Sequence, residues 1–221
     1  MLSPDAFLDL AEKSGQMRKL TLAVLDQALS DQAKWHAQGL PLELAVNLSP
    51  SNLRDPRLTK DLQRMLDTHG LTAATLVLEI TENVLIVDEA QAAETVAELG
   101  RLGVALAIDD FGTGHSSPTR LRDLPLAELK IDRSFVTRME EVRDDEKIVL
   151  STIQLAHSLG LAVVAEGAET PDVIRRLTEL GCDMGQGYVF SRPLEADALA
   201  DWARVHGVSP AREPVEQPKA A

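Results

Sequence analysis

The sequence has a single cysteine, Cys182, in 221 residues. A lone thiol cannot close an internal disulfide, so a hydrophobic core must hold the fold, and a reducing, cytoplasmic setting is expected. No apolar run approaches the roughly 20 residues that a bilayer-spanning helix needs. The opening residues, Met1-Leu2-Ser3-Pro4-Asp5, lack the basic and apolar regions of a secretory signal. Basic charge is scarce as well: 22 Lys and Arg against 35 Asp and Glu leave a formal charge of −13. A nucleic-acid polymer needs a basic face, which excludes that class of partner. His36, His69, His115, His157 and His206 are scattered without metal-ligand spacing. No glycine-rich phosphate fingerprint follows the first strand-like run, which argues against a dinucleotide-binding fold.

What is there is enough for one large domain: 44% hydrophobic and 26% charged residues, in a chain long enough to bury a core. Strand-like and helix-like segments alternate. Ser3-Pro4-Asp5 reads as a helix start, and a second helix is expected over 17–36 with Leu20, Val24, Leu25 and Ala28 on one face. Strands are expected at 44–49, 76–81, 104–110, 128–132, 161–166 and 184–190. Between them lie helices stopped by Gly70 and Gly103 or started by Asp88, Ser117-Pro118 and Thr170-Pro171, and a last helix runs over 196–205. Cys182, after Gly181, reads as a buried packing residue. The stretch 207–221, with Pro210, Pro214 and Pro218, reads as a disordered tail behind a domain of residues 1–206. The alternation predicts an α/β fold with a parallel sheet. Six strand–helix units fall short of the eight that close a (β/α) barrel, so six of eight strands are expected, with the first two missing.

Each apolar strand ends on polar residues: Asn47, Glu79, Asp109 with Asp110, Lys130 with Asp132, Glu166, and Gln186. Such residues at strand C-termini collect on the rim where barrel enzymes keep their sites. Taken one at a time, a strand-end Asp is more often a helix cap, and a rim Lys more often points into water. As a set they are harder to dismiss. Several carboxylates after apolar runs are costly to bury together without a cation. Hard oxygen donors suit Mg²⁺ or Mn²⁺ rather than zinc.

The stretch Asp109-Asp110-Phe111-Gly112-Thr113-Gly114 resembles the DDFGTG loop of bacterial EAL domains. It stands in order with Asn47-Leu48-Ser49, Glu79-Ile80-Thr81-Glu82, Lys130-Ile131-Asp132-Arg133-Ser134-Phe135, Ala165-Glu166-Gly167-Ala168-Glu169-Thr170 and Gln186-Gly187-Tyr188. The resemblance covers the chain from about Pro4 to Leu194. It implies hydrolysis of cyclic di-GMP to linear pGpG by a TIM-type barrel carrying two Mg²⁺ or Mn²⁺ ions. Asn47, Glu79 and Asp109 would bind one metal, Asp109 would bridge to the second, and Asp110 would share it. Asp132, two residues past Lys130, would join the metal shell from the same strand face. Lys130 would hold the attacking water or the phosphate, Glu166 would serve as a water-activating or metal-linked carboxylate, and Gln186 as a nearby hydrogen-bonding group. Glu82 and Glu169 would brace the DDFGTG loop. His115 and Pro118 depart from that loop's usual residues, which bears on the homodimer that the resemblance implies for the parent protein.

The signature Glu-Ala-Leu of these domains lies upstream of the helix at Pro4, and the sequence begins after it. The resemblance therefore implies a metal-ligating Glu outside this chain, and little turnover from the chain alone. It also implies a sensory or GGDEF domain upstream, through which the parent protein could be anchored to a membrane. The alternative reading is a non-catalytic cyclic-di-GMP receptor or partner-binding module of the same fold.

Overall fold

A computed structural model describes residues 5–82, 90–113, 121–122 and 124–207. The expected caps at Ser3-Pro4, Asp88 and Ser117-Pro118, the residues His115 and Pro118, and the tail beyond Gly207 lie outside the described residues. In chain order the first elements are α1 (Asp5–Lys13), α2 (Met17–Ala37), β1 (Leu44–Leu48), α3 (Pro50–Leu53), α4 (Leu58–His69) and β2 (Leu76–Thr81). There follow α5 (Ala90–Leu102), β3 (Ala105–Phe111), β4 (Glu128–Ile131), α6 (Arg133–Val136) and α7 (Arg143–Ser158). The last are β5 (Ala162–Glu166), α8 (Pro171–Glu179), β6 (Met184–Gln186) and α9 (Ala196–His206). The strands are hydrogen-bonded in the order β1-β2-β3-β4-β5-β6. Parallel register is explicit from β3 to β6, with Ile108 opposite Leu129, Lys130 opposite Val164 and Glu166 opposite Gln186. No described helix is long and apolar enough to cross a membrane.

The chain forms two compact units. The first takes Met1–Leu78, Glu89–Ala105 and Leu199–Ala221. Its buried helix stripe on α2 is Thr21, Leu25, Leu29, Gln32 and Trp35, at steps of three and four residues. Val24, expected on that face, is 46% exposed. The stripe turns aside because it includes two polar residues with partners. The Thr21 hydroxyl donates to Asn52 Oδ1 at 2.9 Å. The fully buried Gln32 amide donates to the carbonyls of Leu42 at 3.0 Å and Thr75 at 2.8 Å. A buried carbonyl stripped of its donor keeps its desolvation cost. Gln32→Leu is therefore expected to lower stability by about 1–3 kcal/mol, read as an earlier urea midpoint at unchanged slope. On α4, Leu58, Leu62 and Leu66 are buried, and Gly70 closes the helix at φ 67, a left-handed conformation that suits glycine.

The second unit takes Glu79–Asp88 and Leu106–Ala198. Leu106, Ala107, Ile108, Leu129, Ile131, Val163 and Ala165 are all fully buried along its strands. Helix α7 packs on β4 and β5 and buries Val149, Ile153 and Ala156. Thr170 caps α8 by accepting from the Val173 N–H at 3.1 Å, with Pro171 opening the helix as expected.

Two readings of this unit need correction. The sixth strand ends at Gln186 instead of running to Phe190. The chain turns at Gly187, whose carbonyl accepts from Phe190 N–H at 3.1 Å, and Ala168 accepts from Val189 N–H at 3.1 Å. Tyr188 and Phe190 are consequently exposed, and Arg192 lies 5.0 Å over the Tyr188 ring. Cys182 is half-buried rather than a core residue. Its thiol points at the Met184 carbonyl at 3.2 Å, and burial raises its pKa.

Candidate functional site

Three strands of the second unit bring their charged ends to one ammonium. Lys130 Nζ lies 2.7 Å from Glu79, 3.1 Å from Asp109 and 2.6 Å from Glu166. The register explains the meeting. Lys130 pairs with Val164, and period-two alternation puts Glu166 on the same face as Val164. Gln186, opposite Glu166, shares that face by the same rule, although it is exposed.

Alternation alone would send Asp109 and Asp110 to opposite faces. The register shifts between Ile108 and Phe111, so β3 carries one extra residue against β4 there. Counted from Ala107, opposite Glu128, Asp109 shares the face of Lys130. Counted back from Phe111, opposite Ile131, Asp110 does too. Asp110 is also the one non-glycine residue at positive φ among the described residues, at 56°. That conformation costs most residues about 1 kcal/mol and Asp less, because its short side chain hydrogen-bonds locally. The bulge thus aims two consecutive carboxylates into one place. Asp109, Asp110 and Glu166 each offer an oxygen within 4.8 Å of the others.

Burial sets the electrostatics. The Lys130 side chain is 4% exposed, and desolvation disfavours its charge. Hydrogen bonds to Glu166 and Glu79 outweigh that cost and raise its pKa, so Lys130 is an ammonium at any working pH. Glu166 is raised despite its bond to Lys130. Its own burial comes first, and the charges of Asp109 and Glu79 add to it, together exceeding what the ammonium contributes. Asp110 is raised by partial burial, then by the charges of Asp109, Asp132 and Glu166, and by a hydrogen bond that its protonated form donates to Asp132. Three carboxylates thus face one ammonium, a fourth lies beside them, and the group is left negative. Such a hard-oxygen donor set fits Mg²⁺ or Mn²⁺.

The raised Asp110 pKa has a testable sign. A carboxyl whose pKa is higher folded than unfolded lowers stability above the folded pKa, and the penalty is relieved as pH falls toward the ordinary value of 3.8. Asn tolerates positive φ, so Asp110→Asn removes the charge and keeps the backbone. In chelator, the variant is expected to melt higher than the unaltered protein at pH 8. The gain should shrink steadily on acidification toward pH 4. Calorimetric scans across that range check it, and a gain that grows with acidity contradicts it.

The remaining expected residues separate. Glu82 is 3% exposed and accepts from the Gly112 N–H at 3.1 Å, at the start of the loop after β3. The Phe135 ring backs that same glycine, where an added Cβ would sit 3.0 Å from it. Glu169 is exposed and has no hydrogen bond within the described residues. Asp132 lies one residue beyond β4 rather than on its face. It caps α6, accepting from the Ser134 N–H at 3.0 Å, and reaches Asp110 from there. Asn47 belongs to the first unit, on β1, exposed between buried Val46 and Leu48. The described histidines make ordinary contacts: His36 with the Leu42 carbonyl, His69 with Asp26, His157 with Asp183, and His206 with the Trp202 carbonyl and ring.

The strand ends of an α/β parallel sheet gather carboxylates around a buried lysine, a donor set of the kind that suits a hard cation. The chain belongs to the EAL domain family, whose model matches residues 1–193. It is 39% identical over 203 residues to the cyclic di-GMP phosphodiesterase PA2567 of Pseudomonas aeruginosa, covering 92% of this chain and 35% of that protein. It is 42% identical over 207 residues to the cyclic di-GMP phosphodiesterase NbdA of the same organism, covering 93% and 26%. The chain therefore spans about a third and about a quarter of these relatives' lengths. Its fold matches the solved structure of the PaMucR phosphodiesterase in its c-di-GMP complex with a TM-score of 0.86 and 38% identity, covering 90% of this chain and 81% of that one. The six-stranded α/β fold expected from the sequence is thus that of EAL domains.

Proposed function

We propose that this chain is part of the phosphodiesterase domain of a bacterial signalling protein, and that the parent protein hydrolyses one phosphodiester bond of cyclic di-GMP to give linear pGpG. The observation that carries the reading is the Lys130 ammonium amid Glu79, Asp109 and Glu166, with Asp110 beside them. Relatives named as cyclic di-GMP phosphodiesterases, at about 40% identity, support the substrate.

Asp109, Asp110 and Glu166 would hold Mg²⁺ or Mn²⁺ together with Glu79 and Asp132. Such an ion supplies Lewis-acid stabilisation of the phosphoryl group and lowers the pKa of water when bound. Lys130 places a fixed positive charge where negative charge develops on the phosphate. Glu166, bonded to Lys130 at 2.6 Å, would either take the proton of the attacking water or complete the metal shell. Gln186 orients water or phosphate from the adjoining strand end, and Glu82 fixes the start of the loop that follows the paired aspartates. In the parent protein the domain, residues 1–206, would work in the cytoplasm as a homodimer behind a sensory or GGDEF domain.

The test is product analysis. Incubated with cyclic di-GMP and Mn²⁺, the parent protein is expected to yield pGpG as its first product, and chelator should stop the reaction. Binding of cyclic di-GMP without turnover would overturn the enzymatic reading in favour of a receptor.

A further inference from the structure

We propose that Lys130 is a built-in counter-ion that keeps Glu79, Asp109 and Glu166 assembled when no divalent cation is bound, and that competes with such a cation for their oxygens. The inference shares the candidate metal site with the reading above, but its first measurement needs neither metal nor turnover.

The geometry makes the case. One ammonium has three hydrogens to donate, and three carboxylates from three strands lie at 2.6, 2.7 and 3.1 Å from it. Its donor capacity is thereby used up inside the protein. The side chains of Glu79, Asp109 and Glu166 are 9%, 12% and 19% exposed. Water can offer them little compensation, and mutual repulsion at this spacing would push the strand ends apart. Lys130 is itself held by β4, a strand buried at all four positions, so the charge is anchored rather than mobile. A rim lysine whose only task was to touch phosphate would need a free donor. This one has its donors engaged by the residues proposed to ligate the metal.

The consequence is a competition. A divalent cation that takes oxygens of Glu79 and Glu166 must weaken their bonds to Lys130, so the lysine lowers cation affinity while it secures the fold without one. Asp110 lies outside the trio bonded to Lys130, which leaves it free to receive the ion first.

The test is a double-mutant cycle in chelator on the whole chain, using Lys130→Met, Glu166→Gln and the pair. Lys130→Met is expected to lower the melting temperature by about 10 °C. Adding Glu166→Gln to it should restore part of that loss, although Glu166→Gln on its own does not stabilise the unaltered protein. If Lys130→Met alone does not fold in chelator, the double variant still reports the coupling by folding. In a second arm, calorimetric titration with Mn²⁺ alone should show about tenfold or tighter binding to Lys130→Met. Mn²⁺ should also raise that variant's melting temperature more than the unaltered protein's. An unchanged melting temperature in chelator overturns the proposal, as does an equal effect of Glu166→Gln in both backgrounds. If neither form binds Mn²⁺, the metal reading fails while the chelator cycle still decides the counter-ion.

Discussion

In the parent protein, Asp109→Asn is expected to lower the proposed hydrolysis of cyclic di-GMP at least about a thousandfold with little change in fold. A metal ion contributes several kcal/mol to stabilising a phosphoryl transition state, and each 1.36 kcal/mol is about a tenfold change in rate. Asp109, like Glu166, belongs to both groupings: it is bonded to Lys130 at 3.1 Å and lies within the Asp109–Asp110–Glu166 set. It is 9% exposed, so solvent cannot replace its charge. Asn keeps the shape, and its carbonyl oxygen can still accept the Asp110 N–H that Asp109 accepts at 3.0 Å. The bulge should therefore survive, and the loss should appear in kcat and in Mn²⁺ affinity rather than in melting temperature. A variant within tenfold of the unaltered rate would remove Asp109 from the chemistry.

Gly187→Ala is expected to be the most damaging single methyl in the second unit. A Cβ there would lie 2.1 Å from the Ala168 carbonyl oxygen and 2.5 Å from its nitrogen. Both are backbone atoms, fixed by Ala168 N–H donating to the Gln186 carbonyl at 3.0 Å, so nothing soft can give way. Overpacking of this kind costs about 3 kcal/mol or more, a fall of about 6–12 °C in melting temperature for a chain of this size. Gly160→Ala is the control, with a left-handed φ of 74 but nothing within 4 Å of its Cβ. It should cost only the backbone term of about 1 kcal/mol. Equal losses from the two substitutions would mean that the loops after β5 and β6 are not locked together. Because Gly187 follows Gln186 and abuts the loop after Glu166, partly folded variants should also lose activity.

Local signals carried much of the fold. Apolar runs such as 104–108 and 161–165 need little context to be read as buried parallel strands, and Gly70 and Thr170-Pro171 mark helix ends by chemistry that acts within a few residues. The failures are non-local. Tyr188-Val189-Phe190 has strand composition, and only the approach of Ala168 shows why the chain turns at Gly187. The burial of Thr21 and Gln32 on α2 has no local signal, because it depends on partners 10 to 43 residues away. The site divides in the same way. The strand-end carboxylates could be picked out along the chain, but the register shift that turns Asp109 and Asp110 to one face could not. The three bonds of Lys130 were equally hidden, since each partner comes from a different strand.

The central claim is that this group of strand-end carboxylates is a divalent-metal site. The most direct test is anomalous diffraction from crystals of the protein grown with Mn²⁺. The predicted result is a peak bonded to oxygens of Asp109, Asp110 and Glu166 at about 2.0–2.6 Å, the range of hard cations on oxygen ligands. Saturating Mn²⁺ with no peak there, or with its peaks only on other carboxylates, would contradict the account.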